Sequence, residues 1–210
     1  MKNFNKKLII IMLITILIIT TIFLVIKNEN SGNNIISKNT DSIVNNILNM
    51  KSFDANVEIT ITSNKNQNTY KMNQQNIENE KYKQTIQEPA KIEGTEIIFE
   101  ENRLEIKNTK LNLSKIYENY QYISENALLL STFVKEYKEE SEKTQTEKDG
   151  QIILGLKIKN DENKYTKYKT LYIDKDTGKP VKMEIKDISQ KVRVYILYNE
   201  IKINALQEIK

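Results

Sequence analysis

The sequence predicts an α+β fold: a curved antiparallel sheet of about 9–11 strands covered by two or three helices, with a transmembrane helix in front of it. Three observations predict it. An unbroken apolar run, Leu8–Ile26, precedes everything else. Period-two alternation of apolar and polar residues then recurs between short turn signals. Only two later segments, after Asp41 and after Ser124, carry apolar residues at helical spacing.

The apolar run is 19 residues long, and its only polar members are Thr15, Thr20 and Thr21. At about 1.5 Å per residue, a helix of this length spans roughly 30 Å of hydrocarbon. Lys6 and Lys7 on its N-terminal side orient that end to the cytoplasm. A cleaved signal peptide would have a shorter apolar stretch and small residues at the cut. Here the run leads into Lys27-Asn28-Glu29-Asn30, and no cysteine follows for lipid attachment. The expected organisation is a cytoplasmic tail over 1–7, a single-pass membrane helix over 8–26, a polar linker over 27–36 and an extracytoplasmic domain over 37–210. That domain has 174 residues, enough to bury one sizeable core.

Asp41 or Ser42 can cap a first amphipathic helix, in which Ile43, Val44, Ile47 and Leu48 share a face through Met50. After Ser52 the period changes: Val57, Ile59 and Ile61 alternate with Glu58, Thr60 and Thr62, as in a half-buried strand. Residues 64–68 read as a turn. Strands are then expected over 70–77, 81–87, 92–99 and 104–107, with Pro89 ending the second of these, Gly94 bending the third, and Glu101-Asn102 turning into the fourth. Residues 111–123 read as a loop or irregular strand. Ser124 is the expected cap of the second helix, with Leu130, Phe133, Val134 and Tyr137 on one face, Ala127, Leu128 and Leu129 widening it, and an end near Glu139 or Glu140. A strand over 142–148 meets Asp149-Gly150, a two-residue hairpin signal. Ile152, Leu154, Leu156 and Ile158 alternate in the next strand. Residues 168–174, the turn Asp176-Thr177-Gly178, the alternation Val181, Met183, Ile185 and a long strand over 192–203 with a bulge near Asn199 complete the domain.

Composition excludes several functions. The chain has no cysteine and no histidine. That removes the thiol nucleophile, the usual zinc ligands and the usual general base. No phosphate loop, nucleophile elbow or zinc-helix motif occurs, so neither catalytic residue, cofactor nor metal is expected. The net charge is +4, but without Lys2, Lys6 and Lys7 the remaining 29 basic and 28 acidic residues give +1. A nearly neutral domain whose only arginines are Arg103 and Arg193 has little with which to hold nucleic acid. Asp174-Lys175-Asp176-Thr177-Gly178 has the opening of a calcium loop, but Ile185 stands where the closing bidentate Glu belongs, so it reads as a turn. The pairs Glu100-Glu101 and Glu139-Glu140 read as solvated surface. What remains is binding. Tyr117, Tyr120 and Tyr122, with Leu129, Leu130, Phe133, Val134 and Tyr137 of the second helix, form the candidate partner or ligand surface. Three uses of these residues stay open: closing the core, lining a cavity, or meeting a protein.

The segment Leu171-Tyr172-Ile173-Asp174-Lys175-Asp176-Thr177-Gly178-Lys179-Pro180-Val181 resembles the strand–turn–strand pattern of the LolA/LolB-like superfamily of lipoprotein carriers, and the element order over 40–204 is similar to theirs. Within that superfamily, Asn49-Met50-Lys51-Ser52-Phe53 ahead of an alternating strand resembles the clostridial GerS-like germination proteins. The resemblance implies an open β-barrel with helices as its lid. It also implies a non-catalytic role in spore germination, as partner and activator of a CwlD-like cortex amidase needed for muramic-δ-lactam formation in cortex peptidoglycan. The domain would then face the cortex space from the forespore membrane. GerS-type proteins are lipoproteins; this chain has no cysteine, so residues 8–26 would stand in for the lipid. The open-barrel architecture implies an alternative as well, a lipid or lipoprotein carrier or sensor with lipid in the barrel cavity.

Overall fold

The computed structural model describes residues 38–77, 81–100, 102–120, 128–159 and 164–204. The expected tail, membrane helix and linker lie outside them. Among the described residues no helix is long and apolar enough to cross a membrane. The chain divides into two compact units, Met1–Asp41 and Ser42–Lys210. The sheet, the second helix and all of the first helix after its first turn belong to the second unit.

Two helices are described, α1 (Lys38–Leu48) and α2 (Leu130–Glu139). The strands are β1 (Phe53–Thr62), β2 (Gln67–Ile77), β3 (Lys81–Glu88), β4 (Glu96–Glu100), β5 (Arg103–Asn108), β6 (Leu113–Tyr117), β7 (Lys143–Lys148), β8 (Gln151–Lys157), β9 (Tyr168–Asp174), β10 (Pro180–Lys186) and β11 (Val192–Ile203). They form one 11-stranded sheet in the order β6-β5-β4-β3-β2-β1-β11-β10-β9-β8-β7. Every neighbouring pair is antiparallel. The expected α+β class and curved open sheet are thus what the chain adopts. Two meanders run outward from a central seam where the first strand meets the last.

The alternation in the sequence sets which face is buried. Phe53, Ala55, Val57 and Ile59 of β1 point to one side, as do Ile196, Tyr198 and Ile201 of β11, Met183 and Ile185 of β10, Leu171 and Ile173 of β9, and Ile152, Leu154 and Leu156 of β8. Val44 and Ile47 of α1 and Leu130, Phe133, Val134 and Tyr137 of α2 join the same cluster. Each Val, Leu, Ile, Phe or Met among them contributes about 1.5–3 kcal/mol when removed from water. Neither helix is long enough to be stable alone, so this burial is what makes them helical.

The opposite face is polar and ion-paired. Glu96 bridges Lys83 and Lys107 at 2.6 and 3.1 Å. Glu184 bridges Lys182 and Lys186 at 3.2 and 3.1 Å. The even mix of Lys and Glu in the sequence is used here, across neighbouring strands at Glu96 and along β10 at Glu184.

Four expectations need correction. The strand expected over 92–99 begins only at Glu96, because Ala90–Ile92 form a 3-10 turn and Gly94 takes φ +79°. Thr95 Oγ1 donates to Ile92 O at 2.7 Å and fixes that turn. The helix expected from Ser124 begins at Leu130, with Leu129 still extended at φ −88° and ψ 139°; Ser124 and Ala127 lie outside the described residues. Within 111–123, expected as a loop or irregular strand, residues 113–117 form a regular strand. In β10 the alternation starts one residue early: Pro180 is buried and Val181 is the irregularity, since Pro180 pairs with Ile173 and Lys182 with Tyr172. The bulge at Asn199 is where the alternation placed it, between Tyr198 opposite Val57 and Glu200 opposite Asn56.

Candidate functional site

The candidate residues divide between two places. Leu129, Leu130, Phe133, Val134 and Tyr137 are all buried in the main core. The face of α2 that helical spacing identified is therefore turned onto the sheet. Tyr137 stacks on Phe133 at 5.8 Å between ring centres and donates its hydroxyl to Thr144 O of β7 at 3.1 Å. Burial pushes its phenol pKa up. Lys143 Nζ donates back to Tyr137 O at 3.1 Å.

Tyr117 and Tyr120 lie in the outer lobe, β4–β6. Here a second, smaller cluster forms around Phe99 and Leu104, with Tyr82, Ile97, Ile106 and Tyr120 packed against it. Tyr120 lies 6.5 Å from Phe99 and 6.3 Å from Tyr117, ring centre to ring centre. Its backbone N–H donates to Asn102 O at 2.6 Å. Tyr117 ends β6 and is exposed. Tyr122 lies outside the described residues. The structure thus brings Tyr117 and Tyr120 together and does not place them on one surface with the α2 residues.

A buried polar network ties this lobe down. Asn108 Nδ2 donates to Thr95 Oγ1 at 2.8 Å and to Glu93 O at 3.0 Å, while Asn108 Oδ1 accepts from Leu111 N at 3.1 Å. The lobe is held by polar contacts and a small aromatic core, and its outermost strand has no residue that is even half-buried.

Sequence reasoning missed three groups, two of which parity could have found. Lys169 shares the inward parity of Leu171 and Ile173, and its side chain is 1 % exposed. Its ammonium is held by both carboxylate oxygens of Glu136 on α2, at 2.7 and 2.5 Å. Gln74 and Gln84 share the parity of Met72 and Ile86 and are buried opposite each other on β2 and β3. Among the described residues Gln74 Oε1 and Gln84 Nε2 have no hydrogen-bond partner, and neither has the Tyr198 hydroxyl, whose pKa burial drives up. Leu113 and Ile116 belong to a strand whose apolar residues do not alternate, so no period announced them.

Two surface cavities among the described residues are bordered by other side chains. One of about 460 Å³ is bordered by Lys143, Lys157, Lys169 and Lys186. Each ammonium is already engaged: Lys157 with Glu142, Lys186 with Glu184, Lys169 with Glu136 and Lys143 with Tyr137 O. The other, of about 360 Å³, lies between Ile61, Tyr165, Arg193 and Val194. Arg193 is committed there to Asp187 at 2.6 Å and Asn64 at 2.8 Å. Asp174, the first residue of the sequence's calcium-like stretch, accepts from Thr177 N and Oγ1 at 2.8 and 2.7 Å, which makes the stretch a turn.

The family of YdcC-like sporulation proteins matches residues 5–209. No curated protein sequence matches the chain. A chain from the solved complex of the CwlD amidase of Clostridioides difficile with the GerS lipoprotein is similar in fold, with a TM-score of 0.50 and 24% identity over 76% of this chain and 91% of that one. A LolA superfamily protein from Nitrosomonas europaea aligns with a TM-score of 0.42 and 14% identity, over 81% of this chain and 94% of that one. The fold shared with a chain of that complex agrees with the resemblance expected from Asn49–Phe53.

Proposed function

Because the chain belongs to the YdcC-like sporulation protein family, we propose that it is a membrane-anchored, non-catalytic binding protein that engages and activates a CwlD-like peptidoglycan amidase of the spore cortex. Membership of a sporulation family over nearly the whole chain carries this reading. The fold shared with a chain of the CwlD–GerS complex supports the class of partner. The absence of cysteine and histidine from all 210 residues supports a role without chemistry of its own. The apolar run over 8–26 supports a fixed position in the membrane, with the sheet domain outside. In this role the domain supplies surface, and the amidase supplies the reaction.

The deciding experiment is a gene deletion read by cortex muropeptide analysis, paired with co-purification of the full chain and the amidase from sporulating cells. Loss of muramic-δ-lactam together with recovery of the amidase is the expected result. Normal cortex muropeptides in the deletion would overturn the reading. The carrier alternative makes a different forecast: native mass spectrometry of the purified chain would then show a copurifying lipid.

A further inference from the structure

The two edges of the open sheet differ in a way that identifies a docking strand. At one edge β7 reads Lys-Thr-Gln-Thr-Glu-Lys. Charges on such a strand discourage another chain from pairing with it. At the other edge β6 reads Leu-Ser-Lys-Ile-Tyr, and all five residues are exposed. Leu113 is 42% exposed, Ile116 46% and Tyr117 42%, and Leu111 just before the strand is 52% exposed. Half of the eight large apolar side chains that stand exposed among the described residues are therefore gathered at this one edge. On its inner side β6 pairs with β5; among the described residues no strand pairs with its outer side. An edge of this kind offers alternate backbone N–H and C=O groups together with apolar side chains on both faces, which is what an added strand requires.

Lys115 identifies the occupant. It is the central residue of β6. Its ammonium lies 5.4 Å from the Tyr117 ring centre and has no carboxylate partner among the described residues, whereas Lys71 on β2, Lys81 and Lys83 on β3 and Lys107 on β5 are each ion-paired. A second copy joined edge to edge about a two-fold axis would set one Lys115 directly opposite the other, a repulsive cross-strand pair. Any shifted register would shorten a ladder of only five residues. We propose that β6 is the docking edge for an extended strand of a different protein, one that carries an acidic residue flanked by apolar residues and lies antiparallel to Leu113–Tyr117. Resting on the amidase reading, this makes the amidase the donor of that strand. The sheet would gain a twelfth strand, the apolar edge would be covered, and Lys115 would acquire its counter-ion.

The test uses the full chain in detergent micelles and a CwlD-like amidase from the same organism as probe, with affinity by interferometry and amide hydrogen exchange read at residues 113–117. Lys115→Glu is expected to weaken binding about tenfold, Lys148→Glu on the opposite edge to leave it unchanged, and amidase to slow exchange across β6. Ile116→Thr keeps strand propensity and removes the apolar contact, so it serves should the charge reversal unfold the lobe; it too is expected to weaken binding. Wild-type binding with neither variant affected and no protection of β6 would overturn the docking edge and leave the amidase reading standing. Absence of wild-type binding would overturn both. Protection of β6 that grows with the chain's own concentration, without amidase, would make a second copy the occupant and overturn the proposal.

Discussion

A single buried lysine shows how the core tolerates charge. Lys169 sits in the row of inward side chains and is held by Glu136 of α2 through both carboxylate oxygens. Breaking such a pair from one side leaves the other charge uncompensated, at a cost of about 3–5 kcal/mol. Glu136→Gln is therefore expected to lower stability by about that amount in urea titration, whereas Lys169→Met, which removes the buried charge and keeps the volume, is expected to cost markedly less. Asp187 gives a prediction of the opposite kind, in pH. The Ser189 hydroxyl is the main cause that lowers its pKa, against the upward effect of desolvation, with Lys191 N–H, Arg193 and Ser189 N–H adding to it; the result is about 2. A carboxyl whose folded value lies below its unfolded one stabilises fully above the unfolded value and loses that contribution as pH falls through the folded one. The 187–191 turn and the Arg193 contact are thus expected to hold down to about pH 2. Carboxyl NMR should show Asp187 titrating near there, and Asp187→Asn should remove this acid-range step.

At the scale of elements, the hairpin joining β7 and β8 is a clean test of backbone strain. Asp149 and Gly150 both have positive φ, 51° and 74°, as the Asp-Gly signal required. A Cβ built on Gly150 meets nothing within 4 Å. Gly150→Ala therefore isolates the conformational cost, about 1–2 kcal/mol, which a thermal melt can read. Elements of this type were legible beforehand because both of their signals are local: the turn residues, and alternation on either side. The strands β1, β8, β9 and β11 were legible for the same reason, down to the unpaired Asn199. The misread elements share a different cause. β6 stands at an edge with both faces wet, so nothing imposes a period on Leu113, Ile116 and Tyr117. The start of α2 was misplaced because the apolar residues Leu128 and Leu129 extend the helical pattern before the backbone turns helical. The candidate site was half legible. Helical spacing identified the face of α2 correctly, but spacing cannot say whether an apolar face meets the core or a partner, and here it meets the core.

For the whole molecule, the proposed anchor carries its own forecast. Deleting residues 1–36 should release the domain from the membrane fraction while leaving its far-UV spectrum that of the sheet; a truncated chain still bound to washed membranes would overturn the anchor. The strand order has a further consequence, for the sequence of events by which the protein comes into being. Synthesis delivers β1 first and β11 last, yet these two lie side by side at the centre of the sheet. Each outward meander can zip from local hairpins, while joining them must wait for contacts between the two ends of the domain, the kind that form slowest. Until the final strand arrives, Phe53, Ala55, Val57 and Ile59 have a neighbour on one side only. A chain stopped just short of Val192 therefore carries two meanders with no strand between them, and β11 is the keystone that joins them into one sheet.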